Sequence, residues 1–227
     1  MNLSRLESLI GPENLDKIKK LNVLVLGLGG VGGYVVETLI RSGVNKITLV
    51  DGDTIKPSNI NRQIIATHWN NNRYKTKEWK KRIKKINPFA KVNIINTMIN
   101  EDNIEVLFSE KYDYIIDCCD TSKIKILLVK LCHEKGIKLV SSMGMANKMD
   151  PTKILISTLD KTDTDPLARK IRSELRGSDK ELMKNVTVVY SQEKSINNIM
   201  LGSTAFVPSV AGIYITNFII NDVIKKS

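Results

Sequence analysis

The sequence predicts an α/β protein with a doubly wound, mainly parallel sheet. Three observations carry that prediction. An apolar run, Val23–Leu26, stops at Gly27 and leads through Gly29 and Gly32 into a helical pattern. A second apolar run, Lys46–Val50, ends on Asp51, 24 residues after Gly27. Beyond these, strand-like and helix-like segments alternate, the rhythm of repeated βαβ units. Strands buried on both faces read as continuous apolar runs, as these do. The class is therefore Rossmann-like.

Each element has its own signal. Leu15, Ile18 and Leu21 at helical spacing predict a short helix over 13–21. Val35, Val36, Leu39 and Ile40 share one face of a helix over Gly32–Ser42, which Gly43 ends. Residues 52–72 are polar and turn-rich and predict an ordered loop. Lys75–Ile86 reads as a basic helix with Trp79, Ile83 and Ile86 as its apolar stripe. Lys91–Thr97 is a strand, a short helix follows near Asp102–Phe108, and Tyr112–Asp117 is another buried strand. Ile124–Lys135 is a helix and Lys138–Ser142 the next strand. After Gly144 the pattern changes. Lys153–Leu159 is strand-like, Asp165–Leu175 an amphipathic helix, Gly177–Lys184 a charged loop and Val186–Tyr190 a strand. Residues 191–203 are polar and read as mobile, and an apolar helix starts at about Ser209.

At 227 residues the chain suits one domain over 1–227, with a nucleotide-binding core at about 20–145 and a C-terminal extension at about 146–227. The first residues already carry Arg5 and Glu7 and do not read as a secretion leader, which points to the cytoplasm. The apolar stretch Ala205–Ile220 contains Pro208, Ser209, Thr216 and Asn217 and is short for a span, so it reads as a core element and no transmembrane segment is expected. Cys118, Cys119 and Cys132 form neither a disulfide framework nor a Cys-x-x-Cys zinc pattern; buried small residues are the simpler reading. A net charge of +11 favours a polyanionic partner, with tRNA or another RNA the natural class, although a lysine-rich composition alone also produces such a charge.

The chemistry begins at Gly27-x-Gly29-x-x-Gly32. A glycine turn between strand and helix lets the backbone approach a phosphate at the positive end of the helix dipole. Asp51 stands where a carboxylate can accept from both ribose hydroxyls. Arg62 separates this chain from nicotinamide oxidoreductases, which have no use for it. Its guanidinium can grip a triphosphate and neutralise a leaving pyrophosphate. Lys75 can reach the same phosphates as a mobile point charge. Asp120, at the carboxyl edge of the sheet, is a natural magnesium ligand. Together they read as a nucleoside triphosphate site.

Residues 23–120 resemble the activating-enzyme superfamily, which includes ubiquitin-activating enzymes and bacterial adenylyltransferases of the MoeB/ThiF type. The resemblance is carried by Gly27-Leu-Gly29-Gly30-Val-Gly32, Asp51-Gly-Asp53, Asn59-Ile-Asn-Arg62-Gln63, Lys75 and Asp117-Cys-Cys-Asp120. It implies an E1-like ATP-binding fold, with ATP and Mg2+ as cofactors. It also implies ribose on Asp51, phosphates on Asn59, Arg62 and Lys75, and Mg2+ on Asp120. Arg5 matches an arginine that reaches the partner subunit's ATP, so a homodimer is implied as well.

Further segments narrow the resemblance to the tRNA threonylcarbamoyladenosine dehydratase branch. They include Arg82-Ile-Lys-Lys-Ile-Asn-Pro88, Asp165-Pro-Leu-Ala-Arg-Lys-Ile-Arg172, Tyr190-Ser-Gln-Glu193 and Gly202-Ser-Thr-Ala-Phe-Val-Pro-Ser209. Some members carry a cysteine where this chain has Val188 or Val189, so a covalent thiol step there is not available. The implied reaction is ATP-dependent cyclising dehydration of N6-threonylcarbamoyladenosine beside the anticodon, through an adenylylated carboxylate. A sulfur-transfer or cysteine desulfurase partner is compatible with it. The alternatives are an adenylyltransferase for a ubiquitin-like sulfur carrier, a nicotinamide oxidoreductase and a non-enzymatic RNA-binding module.

Overall fold

The computed structural model describes residues 1–176, 180–196 and 200–225. Seven strands form one sheet: β1 (Asn22–Leu26), β2 (Lys46–Val50), β3 (Lys91–Ile95), β4 (Tyr114–Asp117), β5 (Lys138–Ser142), β6 (Ile154–Thr158) and β7 (Thr187–Ser191). Their order is β3-β2-β1-β4-β5-β7-β6, with every pairing parallel except β6 against β7. The winding direction reverses between β1 and β4. Crevices for ligands open at such a switch point, beyond the carboxyl ends of the strands.

Alternate residues of the central strands feed two apolar layers, as the two-residue period of a strand requires. Val23, Val25, Ile47, Leu49 and Ile116 face a layer covered by α3 (Gly30–Arg41), α4 (Lys75–Ile86) and α8 (Phe206–Ile224). Leu24, Leu26, Val50 and Ile115 face the other, covered by α5 (Ser122–Glu134), α6 (Pro166–Leu175) and α7 (Lys180–Asn185).

The apolar C-terminal stretch is α8, three residues longer at its start than the composition suggested. By length and composition alone it could cross a membrane. Here it is a core helix: Val207, Ala211, Ile215 and Ile219 are wholly buried. A Cβ on Gly212 would lie 2.5 Å from the Val31 carbonyl oxygen, so this glycine lets α8 lie directly on α3. The Thr38 and Thr216 hydroxyls join the same two helices at 2.6 Å.

Several elements depart from the expectations. α1 (Ser4–Ile10) was not anticipated although Leu6, Leu9 and Ile10 stand at helical spacing, and none of its residues is fully buried; α2 (Pro12–Lys20) behind it was legible. The short helix expected near Asp102–Phe108 is a 3-10 helix over Ile104–Phe108. The charged loop predicted over 177–184 is in part α7, whose Leu182 and Met183 reach the core; 177–179 lie outside the described residues. Stretch 191–203 is anchored where it is described, because Ile196 N donates to the Asn147 carbonyl and Gly202 N to its side chain. Residues 197–199 lie outside the described set.

Candidate nucleotide site

The glycine turn sits at the switch point, and its shape depends on missing side chains. Gly27 has φ of +84°, and a Cβ there would lie 2.8 Å from the Cys118 carbonyl oxygen. A Cβ on Gly32 would overlap the Gly27 carbonyl oxygen at 1.8 Å. The turn and the loop after β4 are therefore in contact, across the β1/β4 crevice. Gly29 precedes α3, and no side chain caps the helix. Its first amide groups are left for an anion, in the field of a 12-residue helix dipole.

Asp51 ends β2 and holds the turn from behind. Its carboxylate accepts from Leu28 N at 2.7 Å and from Asp53 N at 2.8 Å. Lys75 is not the mobile charge the sequence suggested. It is buried at the start of α4, its Nζ donating to Asp53 at 2.8 Å and lying 3.5 Å from Asp51. A buried ammonium needs such partners, because desolvation otherwise outweighs any gain. The predicted ordered loop supplies the geometry: Lys75 N donates to the Asp53 carbonyl, and Thr54 pairs with Tyr74.

Asn59, Arg62 and Gln63 come from that loop. A 3-10 turn at Pro57–Asn59 is closed by the Asn59 side chain, which accepts from Lys56 N at 3.1 Å. Arg62 lies beside Gly30, its Cγ 3.7 Å from where a Gly30 Cβ would be. Its Nη1 donates to the Ser58 carbonyl and the Asn61 side chain, at 2.7 and 2.9 Å. Those bonds leave other guanidinium N–H groups for a ligand. Gln63 is buried with its amide 3.7 Å from the Gly29 Cβ position. Its Oε1 is buried and lacks a hydrogen-bond partner, an uncommon state in a native interior and one a ligand donor would relieve.

Asp120 is exposed on the loop after β4, two residues past the Cys118 contact with the turn. Its carboxylate has one weak neighbour, the Thr121 hydroxyl at 3.5 Å. Among the described residues no cluster of three metal-binding side chains exists. A lone exposed carboxylate still suits Mg2+, which is commonly held by one or two carboxylates plus substrate phosphates. Burial, then the Asp117 charge, push the Cys118 and Cys119 thiols above their ordinary range, so neither is a poised nucleophile.

Arg5 is not brought to this site within its own chain. It is exposed on α1, two residues from Leu3. Leu3 packs at Gly43, just past the far end of α3. A 12-residue helix, about 18 Å long, separates that end from the glycine turn.

The sequence did not reveal the support beneath the Asp120 loop. Lys125 and Asp117 are both wholly buried and pair at 2.8 Å. Lys125 also donates to the Ser142 carbonyl, and the Ser141 hydroxyl to Asp117, both at 2.7 Å. Burial works against the Lys125 ammonium, yet Asp117 with the neighbouring Cys119 and Cys118 outweighs it, and the pKa lies above the ordinary lysine value. The available signal was a charge between Ile124 and Ile126 on an otherwise apolar face. A second buried pair, Lys148 with Asp165 at 3.2 Å, ties the segment after β5 to the start of α6 and left no local signal.

The family model described as ThiF family matches residues 3–220. The chain belongs to the ThiF family. It is 39% identical to the tRNA threonylcarbamoyladenosine dehydratase of Bacillus subtilis, over 98% of this chain and 94% of that protein. The crystal structure of the Escherichia coli tRNA N6-threonylcarbamoyladenosine dehydratase in complex with ATP superposes with a TM-score of 0.93 at 30% identity, covering 99% of this chain and 94% of that one. A Candida albicans adenylyltransferase and sulfurtransferase is 33% identical over 59% of this chain and 30% of its own length.

Proposed function

We propose that this ThiF-family chain is an ATP-dependent tRNA threonylcarbamoyladenosine dehydratase. The observation that carries the reading is the extent of the likeness. Resemblance to a dehydratase runs over 98% of the chain, whereas the adenylyltransferase and sulfurtransferase matches 59%. A nucleotide site alone does not decide between them, since both chemistries use one. The likeness over nearly the whole chain favours the dehydratase.

ATP would lie with its phosphates on the turn from Gly27 through Gly29 and Gly30 to Gly32 and its ribose toward Asp51. In the first step the threonylcarbamoyl carboxylate attacks the α-phosphorus and pyrophosphate departs. In the second, a carbamoyl heteroatom attacks the acyl carbon and closes a ring. AMP leaves, a proton goes to solvent, and the net loss is one water. Both steps need charge neutralised more than they need a protein nucleophile. Arg62 and Lys75 supply cations, and Asn59 and Gln63 supply amide groups. Mg2+ on Asp120 would screen the phosphates, the commonest service of that ion in such sites. For Lys75 to meet a phosphate, Asp53 must release it; the Asp53 side chain is half exposed and free to turn outward.

A homodimer completes this reading. α1 has no fully buried residue in its own chain, although Ile10 packs partly against the core, and Leu9 on it is 81% exposed. A second copy would cover that helix and receive Arg5 at its ATP. A cytoplasmic location is part of the same proposal.

The test is mass spectrometry of nucleosides from threonylcarbamoylated tRNA incubated with the protein, ATP and magnesium. ATP-dependent loss of one water from the modified adenosine is expected. An unchanged nucleoside, together with pyrophosphate exchange that requires a small sulfur-carrier protein, would replace the reading with that of a carrier adenylyltransferase.

A further inference from the structure

The chain's positive charge is concentrated in one place. From Arg73 to Lys85 the sequence has eight cations and one carboxylate, Glu78. That is +7 of the chain's +11, within 13 residues. A composition rich in lysine everywhere would spread the excess; here the rest of the chain contributes only +4.

The structure also sorts these cations. Lys75 turns inward to Asp53, and Arg82 pairs with Glu37 at 2.7 Å. Lys81 is held by Glu78, and Lys84 closes the end of α4 on the Pro88 and Ala90 carbonyls. Lys80 and Lys85 make no hydrogen bond or ion pair among the described residues, and Lys77 has only the Tyr74 ring, 5.2 Å from its Nζ. All five of Lys77, Lys80, Lys81, Lys84 and Lys85 line one open groove against Ile94 of the edge strand β3. Lys77, Lys80 or Lys81, and Lys84 follow one another at about one helical turn, 5.4 Å. The first residue of the same helix, Lys75, stands in the nucleotide site.

From this we infer that the lysine groove along α4 and β3 is the track on which the tRNA backbone lies while its modified nucleoside reaches the ATP site. The inference rests on the tRNA reading above. Charge decides the occupant: a groove lined by five lysines, of which Lys77, Lys80 and Lys85 make no ion pair among the described residues, matches a polyphosphate strand and repels a basic partner. Ammonium groups on flexible stems contact phosphates without reading bases, so the track would fix position and leave selection to the site.

The experiment compares wild type with a Lys77→Gln/Lys80→Gln/Lys85→Gln variant, which spares the residues that hold α4 in place. Binding of threonylcarbamoylated tRNA is measured against KCl concentration, with dehydration kinetics and ATP binding alongside. Each lost phosphate contact should lower the slope of log K against log salt by about 0.7 to 0.9, or roughly 2 to 3 in all. Affinity near 0.15 M salt should fall roughly ten- to a hundredfold. KM for tRNA should rise in step, with kcat and ATP affinity unchanged. An unchanged slope and KM in a variant whose wild type binds and dehydrates tRNA would overturn the track alone. So would a change in oligomeric state, which would make the groove an interface between copies. A wild type that neither binds nor dehydrates tRNA would remove the tRNA reading and the track with it.

Discussion

The Lys75 ammonium lies 2.8 Å from the Asp53 carboxylate and reaches Asp51 only at 3.5 Å. The cation proposed for phosphate is therefore held chiefly by an acid whose side chain is half in water. Asp51 keeps both oxygens on backbone amides, while half the Asp53 side chain is in water. Removing the ammonium by Lys75→Met leaves the buried Asp51 uncompensated. The expected result is loss of more than 10²-fold in turnover, with a lower melting temperature in the absence of ATP. Retained turnover would show that Lys75 serves the fold only.

Among the described residues the Arg62 guanidinium makes its two bonds within its own loop. Arg62→Ala should therefore alter stability by no more than about 0.5 kcal/mol. Turnover should drop by roughly 10² or more, as when a donor to developing charge is removed, and tRNA affinity should hold within a few-fold. Activity within a few-fold of wild type would refute its placement on the phosphates.

The Lys125–Asp117 pair is out of water on both sides. Breaking such a pair costs about 3–5 kcal/mol, because the surviving charge is stranded. Lys125→Met and Asp117→Asn should each show that loss in urea unfolding with an unchanged m-value. The pH dependence follows from the raised Lys125 pKa. Stability from the charged lysine is fully present below the unfolded lysine value, about 10.4. It is lost as pH rises through the higher folded value. Wild type should thus lose more stability above pH ~10 than Lys125→Met does.

Gly32→Ala would drive a Cβ into the Gly27 carbonyl, 1.8 Å away. Strand end and helix start cannot both keep their places. We expect little soluble protein, and a nucleotide thermal shift abolished in whatever folds. A normal shift would mean that the turn can open without cost.

The thiols offer a test of the chemistry's class. Burial and the neighbouring Asp117 raise Cys118 and Cys119, and burial pushes Cys132 up to about 12. Alkylation of the native protein at pH 7.5 should be slow at all three, and fast after denaturation. Cys119→Ser should retain turnover. A rapid, activity-destroying modification would bring a covalent thiol step back into the mechanism.

Most strands of the sheet, its α/β alternation and the candidate nucleotide-site residues were legible along the chain. Apolar runs stopped by glycine or aspartate are local signals, and β2, α4 and β5 fall on the ranges their residues predict. Spacing along the chain likewise brings Gly27, Asp51, Arg62, Lys75 and Asp120 to one edge of a parallel sheet, because every crossover returns to that edge. Tertiary structure decided what each of these groups touches. That Lys75 is paired and buried, that Gln63 carries an orphaned oxygen and that Arg5 stands beyond the far end of α3 from the turn all depend on contacts between distant segments. The Lys125–Asp117 and Lys148–Asp165 pairs are of the same kind. A buried charge is stable only with a partner, and the partner is set by packing. The short α7 was missed for a related reason: its apolar residues are few, and only the core they reach distinguishes it from a charged loop.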